Sequence, residues 1–375
     1  METPDSSTDA GYMAMALRLA ARGMYTTHPN PRVGCVIVKG GRVVGRGYHL
    51  KAGEGHAEVN ALAEAADEAA GATAYVTLEP CSFQGRTPPC TSALIDAGIS
   101  RVVAGMVDPN PRVAGAGIRI LQDAGMAVTC PLLEPSAIEL NKGFVKRNTT
   151  GLPWVRLKMA MSMDGKTALA NGKSQWITGP GARQDVQRLR AASSALVTGV
   201  GTVLNDDPAL TVRDPDVEHG KLAMCIPRPI VVLDPELRIP DSAQLMSNPD
   251  VVLASLADAA NNRRIVPEKL ILPDAGNRKI DLKALLAELA TRECNEVMFE
   301  CGATLAGALV SAGLLDELVL YIAPKLMGAD AQSLLRLPEI DNMRDLIELD
   351  ITDVRTVDND IRVTAMVKQK QKGEL

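Results

Sequence analysis

The sequence predicts an α/β protein made of two consecutive domains, and three observations carry that expectation. With 375 residues the chain exceeds what one hydrophobic core usually serves. Short β-branched runs alternate with Ala- and Leu-rich helical stretches, the pattern of a mixed or parallel sheet covered by helices. The alternation is broken once, by the polar, Gly- and Pro-bearing RNTTGLP (147–153), which reads as a linker. The expected domains are residues 1–150 and 151–375.

In the first domain VGCVIV (33–38), TAYVTL (73–78) and RVVAGMV (101–107) read as strands. EVNALAEAADEAA (58–70) and TSALIDAG (91–98) read as the helices between them. In the second, WVRLKMAM (154–161), SALVTGV (194–200), PIVVLD (229–234), DVVLASL (250–256), KLILP (269–273), EVMFECG (296–302) and ELVLYIAP (317–324) read as strands. GARQDVQRLRAAS (181–193) and DLKALLAELATR (281–292) read as helices. No internal repeat or low-complexity segment is present.

Composition excludes several functions. A net charge of −5, 3% aromatics and no long Lys/Arg run argue against a nucleic-acid binder, which needs a basic footprint and stacking platforms. The opening METPDSSTDA lacks the basic and apolar regions of a secretory leader, and no apolar run is long enough to span a bilayer. Seven cysteines without such a leader suggest reduced thiols and a cytoplasmic protein.

The chemistry gathers in the first domain. His56-Ala57-Glu58 opens a helix after the glycines of GEG, Pro80-Cys81 follows a strand, and Cys90 opens the next helix. One imidazole and two thiolates leave a fourth tetrahedral position for water, as in a catalytic zinc site. His-x-Glu followed by Pro-Cys and a second Cys is the signature of zinc deaminases. Residues two apart on a helix point about 200° away from each other, so His56 and Glu58 can share a site only at the helix start. Cys90 lies where the positive helix end favours a thiolate. Glu58 is expected to carry the proton from water to the ring nitrogen and the departing ammonia. The plainer readings are a helix cap for His56 and ordinary buried thiols for the cysteines. A structural zinc would want a fourth ligand, for which no His or Cys is placed. The spacing departs from the simplest signature, because eight residues instead of two separate Cys81 from Cys90.

HPNPRVGCVIV (28–38), HAEVNAL (56–62), AYVTLEPCSFQGRTPPC (74–90) and DPNPRVAGAG (108–117) closely resemble the N-terminal half of the bifunctional riboflavin-biosynthesis deaminase/reductases. In that family the long CSxxGRTPPC loop is the usual form, which removes the spacing anomaly. The resemblance continues through NKGFVKR, LKMAMSMDGKTA, SQWIT, LRAASSALVTGVGTVLNDDPALTVR, VMFECGATLAGALVSAGLLDEL and YIAPKLMG. It implies a cytidine-deaminase-like α/β/α sandwich followed by a dihydrofolate-reductase-like α/β domain. It also implies two reactions: zinc-dependent deamination of 2,5-diamino-6-ribosylamino-4(3H)-pyrimidinone 5′-phosphate, then NADPH-dependent reduction of the ribosyl group to ribityl. By the same resemblance His56, Cys81 and Cys90 hold Zn²⁺, Glu58 is the proton shuttle, and Asn30 either holds the pyrimidine or serves as a turn residue.

Taken alone, the second domain offers only a strand–glycine–helix junction at Gly302, which presents backbone N–H groups to a phosphate or merely closes a turn. The resemblance assigns Gly302, Ala303, Thr304, Leu305, Ala306, Gly307 and Ala308 to the cofactor phosphate, with the helix beginning near Leu305. It assigns Ala160, Trp176, Thr202 and Asp206 to other cofactor contacts. Ser174, Arg190, Leu210, Arg213 and Glu300 correspond to sugar-phosphate substrate positions. The planar forks of Arg190 and Arg213 suit a phosphate, although each is also a candidate for a surface ion pair. Trp176 is either a shield for the nicotinamide or a core residue. Asp206 and Glu300 stand as alternatives for orienting hydroxyls or supplying the proton. Cys225, Cys294 and Cys301 are expected to be inert core residues. The expected partner is a small pyrimidine ribosyl phosphate, with no nucleic acid or membrane, in a homo-oligomer. The competing functions are a nucleic-acid editing deaminase with an accessory domain, a non-catalytic zinc scaffold, and an enzyme with one dead half.

Overall fold

The structure is a computed structural model, and it describes residues 8–83, 88–259 and 268–368. The chain divides into two compact units, Met1–Leu152 and Pro153–Leu375. Among the described residues no helix is long and apolar enough to cross a membrane.

The first unit runs α1 (Asp9–Ala21), β1 (Gly34–Lys39), β2 (Arg42–Tyr48), α2 (Ala57–Ala65), β3 (Thr73–Val76), α3 (Cys90–Asp96), β4 (Arg101–Ala104), α4 (Ala116–Asp123), β5 (Ala127–Thr129), α5 (Glu134–Leu140) and α6 (Lys142–Thr150). Its five strands lie in the order β2-β1-β3-β4-β5. β1 is antiparallel to both neighbours, whereas β3, β4 and β5 are parallel. Alternation along β1 makes the sandwich. Val36 and Val38 pack with Tyr12, Met13 and Ala16 of α1, while Cys35 and Ile37 pack with Ala57, Ala61 and Ala65 of α2.

Two glycines bring α2 unusually close to β2. A Cβ on Gly45 would lie 2.2 Å from the Ala61 carbonyl oxygen, and one on Gly47 would lie 2.1 Å from that of Ala57. Only hydrogen fits in that gap, so the sequence fixes the helix start that carries His56 and Glu58. Gly47→Val should therefore push away the first turn of α2 and destabilise this unit by about 3 kcal/mol. Bound zinc should fall with it. Thermal unfolding and metal content check this, and a variant as stable as wild type would refute the close-approach argument.

The second unit runs β6 (Trp154–Ser162), β7 (Lys166–Ala168), α7 (Pro180–Ala192), β8 (Ala195–Gly199), α8 (Val200–Asp206), α9 (Gly220–Cys225), β9 (Ile230–Leu233), β10 (Val251–Ser255), β11 (Glu268–Ile271), α10 (Leu282–Thr291), β12 (Glu296–Glu300), α11 (Ala303–Ser311), β13 (Glu317–Ala323), β14 (Gln332–Ser333), β15 (Leu349–Val357) and β16 (Asp360–Val367). Nine strands form one sheet in the order β11-β10-β9-β8-β12-β6-β13-β16-β15. It is parallel from β11 to β13, and β16 and β15 close it antiparallel. α7 buries Ala182, Val186 and Leu189 with Met298, Val319 and Tyr321 of the sheet.

The structure changes three expectations about elements. RNTTGLP is not a free linker: Arg147–Thr150 completes α6, and Gly151 ends that helix in the left-handed region with φ 74°. β2 was missed, although Gly40-Gly41, both with positive φ, is a hairpin turn signal. The closing hairpin β15–β16 was also missed. Its strands carry many charged residues, which blunted the apolar pattern.

Candidate active sites

In the first unit His56 is the N-cap of α2, in extended conformation with φ −71° and ψ 165°. From there its ring turns toward the loop after β3, where it meets Cys81 and Cys90. Cys90 begins α3 and is fully buried, and the Cys90 N–H donates to Cys81 Sγ at 3.2 Å. His56 Nδ1 lies 3.2 Å from Cys90 Sγ and 3.6 Å from Cys81 Sγ. All three donor atoms fall within 4.8 Å of one another. The Cys90 thiol, donating to its neighbour, holds Cys81 well below the usual thiol range and is itself raised by the same contact. Hydrogen bonding to Cys81 raises His56. One imidazole and two sulfurs, one already favoured as thiolate, form a donor set that suits zinc.

Glu58 sits in the first turn of α2, only 3% exposed. Burial, reinforced by the Cys81 charge, pushes its carboxyl up to about 7. A carboxyl titrating there can both accept and release a proton near neutral pH.

The expectation that no histidine lies near the metal residues is corrected by His49. Its ring is 5.2 Å from that of His56 and edge-on to it. It is nevertheless not a spare ligand. Nδ1 faces the Gly55 carbonyl at 3.1 Å and so carries the proton, and Nε2 accepts from Asn30 Nδ2 at 3.0 Å. Asn30 is thereby held by a buried histidine whose pKa is lowered by that burial.

Glu79 was also missed, although it is buried beside the metal loop. Its carboxylate accepts backbone N–H groups from Asp108 (3.1 Å), Gly115 (2.9 Å), Gly117 (2.8 Å) and Ile118 (3.3 Å). It thus ties Pro80-Cys81 to the DPNPRVAGAG segment. Of the CSFQGRTPPC loop, residues 84–87 lie outside the described residues.

In the second unit Arg190, Glu300 and the Leu210–Arg213 segment, all expected to hold substrate, are brought together, whereas Ser174 contacts Asp206. Arg190 Nε and Nη2 donate to Glu300 at 2.6 and 3.0 Å, and its Nη1 donates to the Thr211 carbonyl at 3.1 Å. The Arg213 N–H donates to Gln187 Oε1 at 2.8 Å, so the Leu210–Arg213 segment is fastened to α7. Leu210 is buried with φ 49°, and the Arg213 side chain is exposed. Arg190 is therefore in a buried ion pair instead of a surface one. Lys158, not recognised from sequence, lies 4.0 Å from Glu300, with burial lowering its pKa. Its signal was the register of β6 against β12, which places Lys158 opposite Glu300.

Among the residues expected to hold the cofactor, Asp206 ends α8 and accepts from Ser174 Oγ at 2.7 Å. Thr202 lies on the same helix, and Ala160 is half-buried against the core. Trp176 is 65% exposed, which corrects its reading as a core residue. α11 begins at Ala303, two residues before the expected start, with Gly302 as its N-cap. A Cβ on Gly302 would meet nothing within 4 Å. One on Gly307 would lie 2.0 Å from the Arg336 carbonyl oxygen, so that glycine answers to packing. Ala303, Ala306 and Gly307 face the interior, Thr304 and Ala308 face solvent, and Leu305 is intermediate. Cys294 is buried and Cys301 half-buried, but Cys225 is exposed, contrary to its reading as a core thiol.

Residues 153–363 match the model of the RibD C-terminal domain, and residues 6–106 match that of the cytidine and deoxycytidylate deaminase zinc-binding region. The riboflavin biosynthesis protein RibD of Escherichia coli is 49% identical, with 94% of this chain and 98% of that protein covered. RibD of Haemophilus influenzae is 47% identical over 96% of this chain and 97% of its own length. A solved structure of Acinetobacter baumannii RibD superposes with a TM-score of 0.87 at 42% identity, covering 96% of this chain and 99% of that one.

Proposed function

The chain belongs to the RibD family of bifunctional riboflavin-biosynthesis deaminase/reductases, and from that membership we propose how its residues divide the two reactions. The deaminase substrate is 2,5-diamino-6-ribosylamino-4(3H)-pyrimidinone 5′-phosphate, and the reductase uses NADPH to convert the ribosyl group of the deaminated product to ribityl. The convergence of His56, Cys81 and Cys90 beside buried Glu58 is the observation that carries this reading. These three residues would hold zinc, which when bound would lower the pKa of water to about 7 and so supply hydroxide at neutral pH. Glu58 takes the proton and delivers it to the ring nitrogen and the leaving amine. Asn30, its amide nitrogen fixed on His49, presents its oxygen to the pyrimidine.

In the reductase unit Ser174, Arg190, Leu210, Arg213 and Glu300 hold the sugar phosphate. Ala160, Trp176, Thr202, Asp206 and the Gly302–Ala308 segment hold NADPH, with the first turn of α11 offering N–H groups to phosphate. Ammonia release and cofactor oxidation, followed together on the diaminopyrimidine with NADPH or NADH, test the scheme. Ammonia release without any cofactor oxidation would refute the reductase assignment, and equal use of NADH would refute the cofactor preference.

Gly302→Val tests the phosphate cradle. Gly302 has φ −76°, a conformation valine adopts, and its Cβ points into open space, so the fold should lose only about 1 kcal/mol. The branched side chain would occupy the space the phosphate needs. The KM for NADPH should rise at least about tenfold, with ammonia release unchanged. A folded variant that binds NADPH normally would show the cradle to be misplaced.

The homo-oligomer is proposed to form through β15. This strand ends the sheet, and its Ile351 and Val354 are 65% and 60% exposed. Ile351→Lys with Val354→Lys should lower the mass measured by sedimentation, and an unchanged mass would exclude this edge. The free cysteines support a cytoplasmic enzyme.

A further inference from the structure

The indole of Trp176 carries a cation behind it. Arg183 Cζ lies 4.6 Å from the ring centroid, and its Nη1 donates to the Thr178 carbonyl at 2.9 Å. The segment bearing Trp176 is tied on both sides. Ser174 Oγ and Gln175 Nε2 donate to Asp206 at 2.7 and 3.2 Å. Lys325 Nζ donates to the carbonyls of Trp176 and Ile177 at 2.9 and 2.6 Å. With Arg183 over one face and the residue still 65% exposed, the other face is open to a flat ring.

Building on the reading of Trp176 as the nicotinamide platform, we propose that Arg183 sets the preference of this site for the reduced dinucleotide over the oxidised one. The dihydronicotinamide ring is neutral, whereas the oxidised ring is a pyridinium bearing one positive charge. Both stack on an indole, and an isolated indole face would favour the cation. Here that face is already occupied from behind by a guanidinium. A pyridinium on the open face would lie about 8 Å from it, close enough for like charges to repel through a partly desolvated ring. At dielectrics between a protein surface and water, that repulsion corresponds to roughly a two- to thirtyfold difference in affinity. Lys325 adds the same sign at the backbone of the same segment, and Asp206, engaged by Ser174, carries the opposite sign. Hydride transfer thus converts a well-tolerated neutral ring into a cation that the site holds less tightly, which favours product release.

Calorimetric titration of the full-length enzyme with NADPH and with NADP⁺ tests this. The proposal predicts that Arg183→Met, which keeps volume and loses charge, lowers the ratio of Kd(NADP⁺) to Kd(NADPH) by roughly two- to thirtyfold. Arg183→Lys should keep the ratio near wild type. Raising salt should compress the ratio in wild type, a readout that needs no mutant, and should leave it unchanged in the Met variant. If Arg183→Met weakens both forms by one factor and the wild-type ratio ignores salt, Arg183 only positions the ring and the proposal fails. If Trp176→Ala leaves both dissociation constants unchanged, the platform reading itself is wrong, a distinct result from a ratio that fails to move.

Discussion

Glu58→Gln should retain zinc and lose deamination by on the order of 10²–10⁴-fold. The amide matches the carboxylate in shape, so the first turn of α2 and the ligands around it have no steric reason to move. What the variant lacks is the capacity to take and return a proton. In the wild type that capacity is tuned by place: Glu58 is 3% exposed, and burial pushes its carboxyl up to about 7. Removing a buried ionisable group should not destabilise the unit, because a neutral amide escapes the burial penalty a carboxylate bears. Metal analysis, ammonia release and thermal unfolding together decide the matter. Loss of zinc along with activity would make Glu58 a ligand or a structural support. Retained activity would remove it from the proton path.

How much of this was legible in the sequence depends on the range of the cause. His56, Glu58, Cys81 and Cys90 were visible because local elements place them: a helix cap, a helix start and a strand end each carry a signal within a few residues. The same holds for Gly302 at the junction of β12 and α11. Partners brought together only by tertiary packing carried no such signal. His49 meets Asn30 across the β1–β2 hairpin, and Glu79 gathers four N–H groups from residues 29 to 39 positions later. Lys158 and Glu300 are 142 positions apart and meet only because β6 pairs with β12. Gly307 has a reason to be glycine that no local signal shows: its missing side chain makes room for the Arg336 backbone. A glycine in the sequence says that a Cβ is unwelcome, and only the fold says what would collide with it.

Cys81→Ser should strip most of the zinc and abolish deamination while leaving the reduction of pre-deaminated substrate near normal. A site with three protein ligands has none to spare, and a serine hydroxyl does not ionise near neutral pH to replace a thiolate. The structure makes the loss sharper. The Cys90 N–H, at 3.2 Å, and the facing thiol and imidazole are all disposed to stabilise negative charge on the atom at position 81. The two units have separate sheets and separate cores, so the damage should stay in the first. Chelation of the wild type should reproduce the phenotype, and added zinc should then restore the wild type but not the variant. Full zinc content with normal ammonia release in Cys81→Ser would overturn the ligand assignment. Equal loss of both activities would mean that the serine had unfolded more than the metal site.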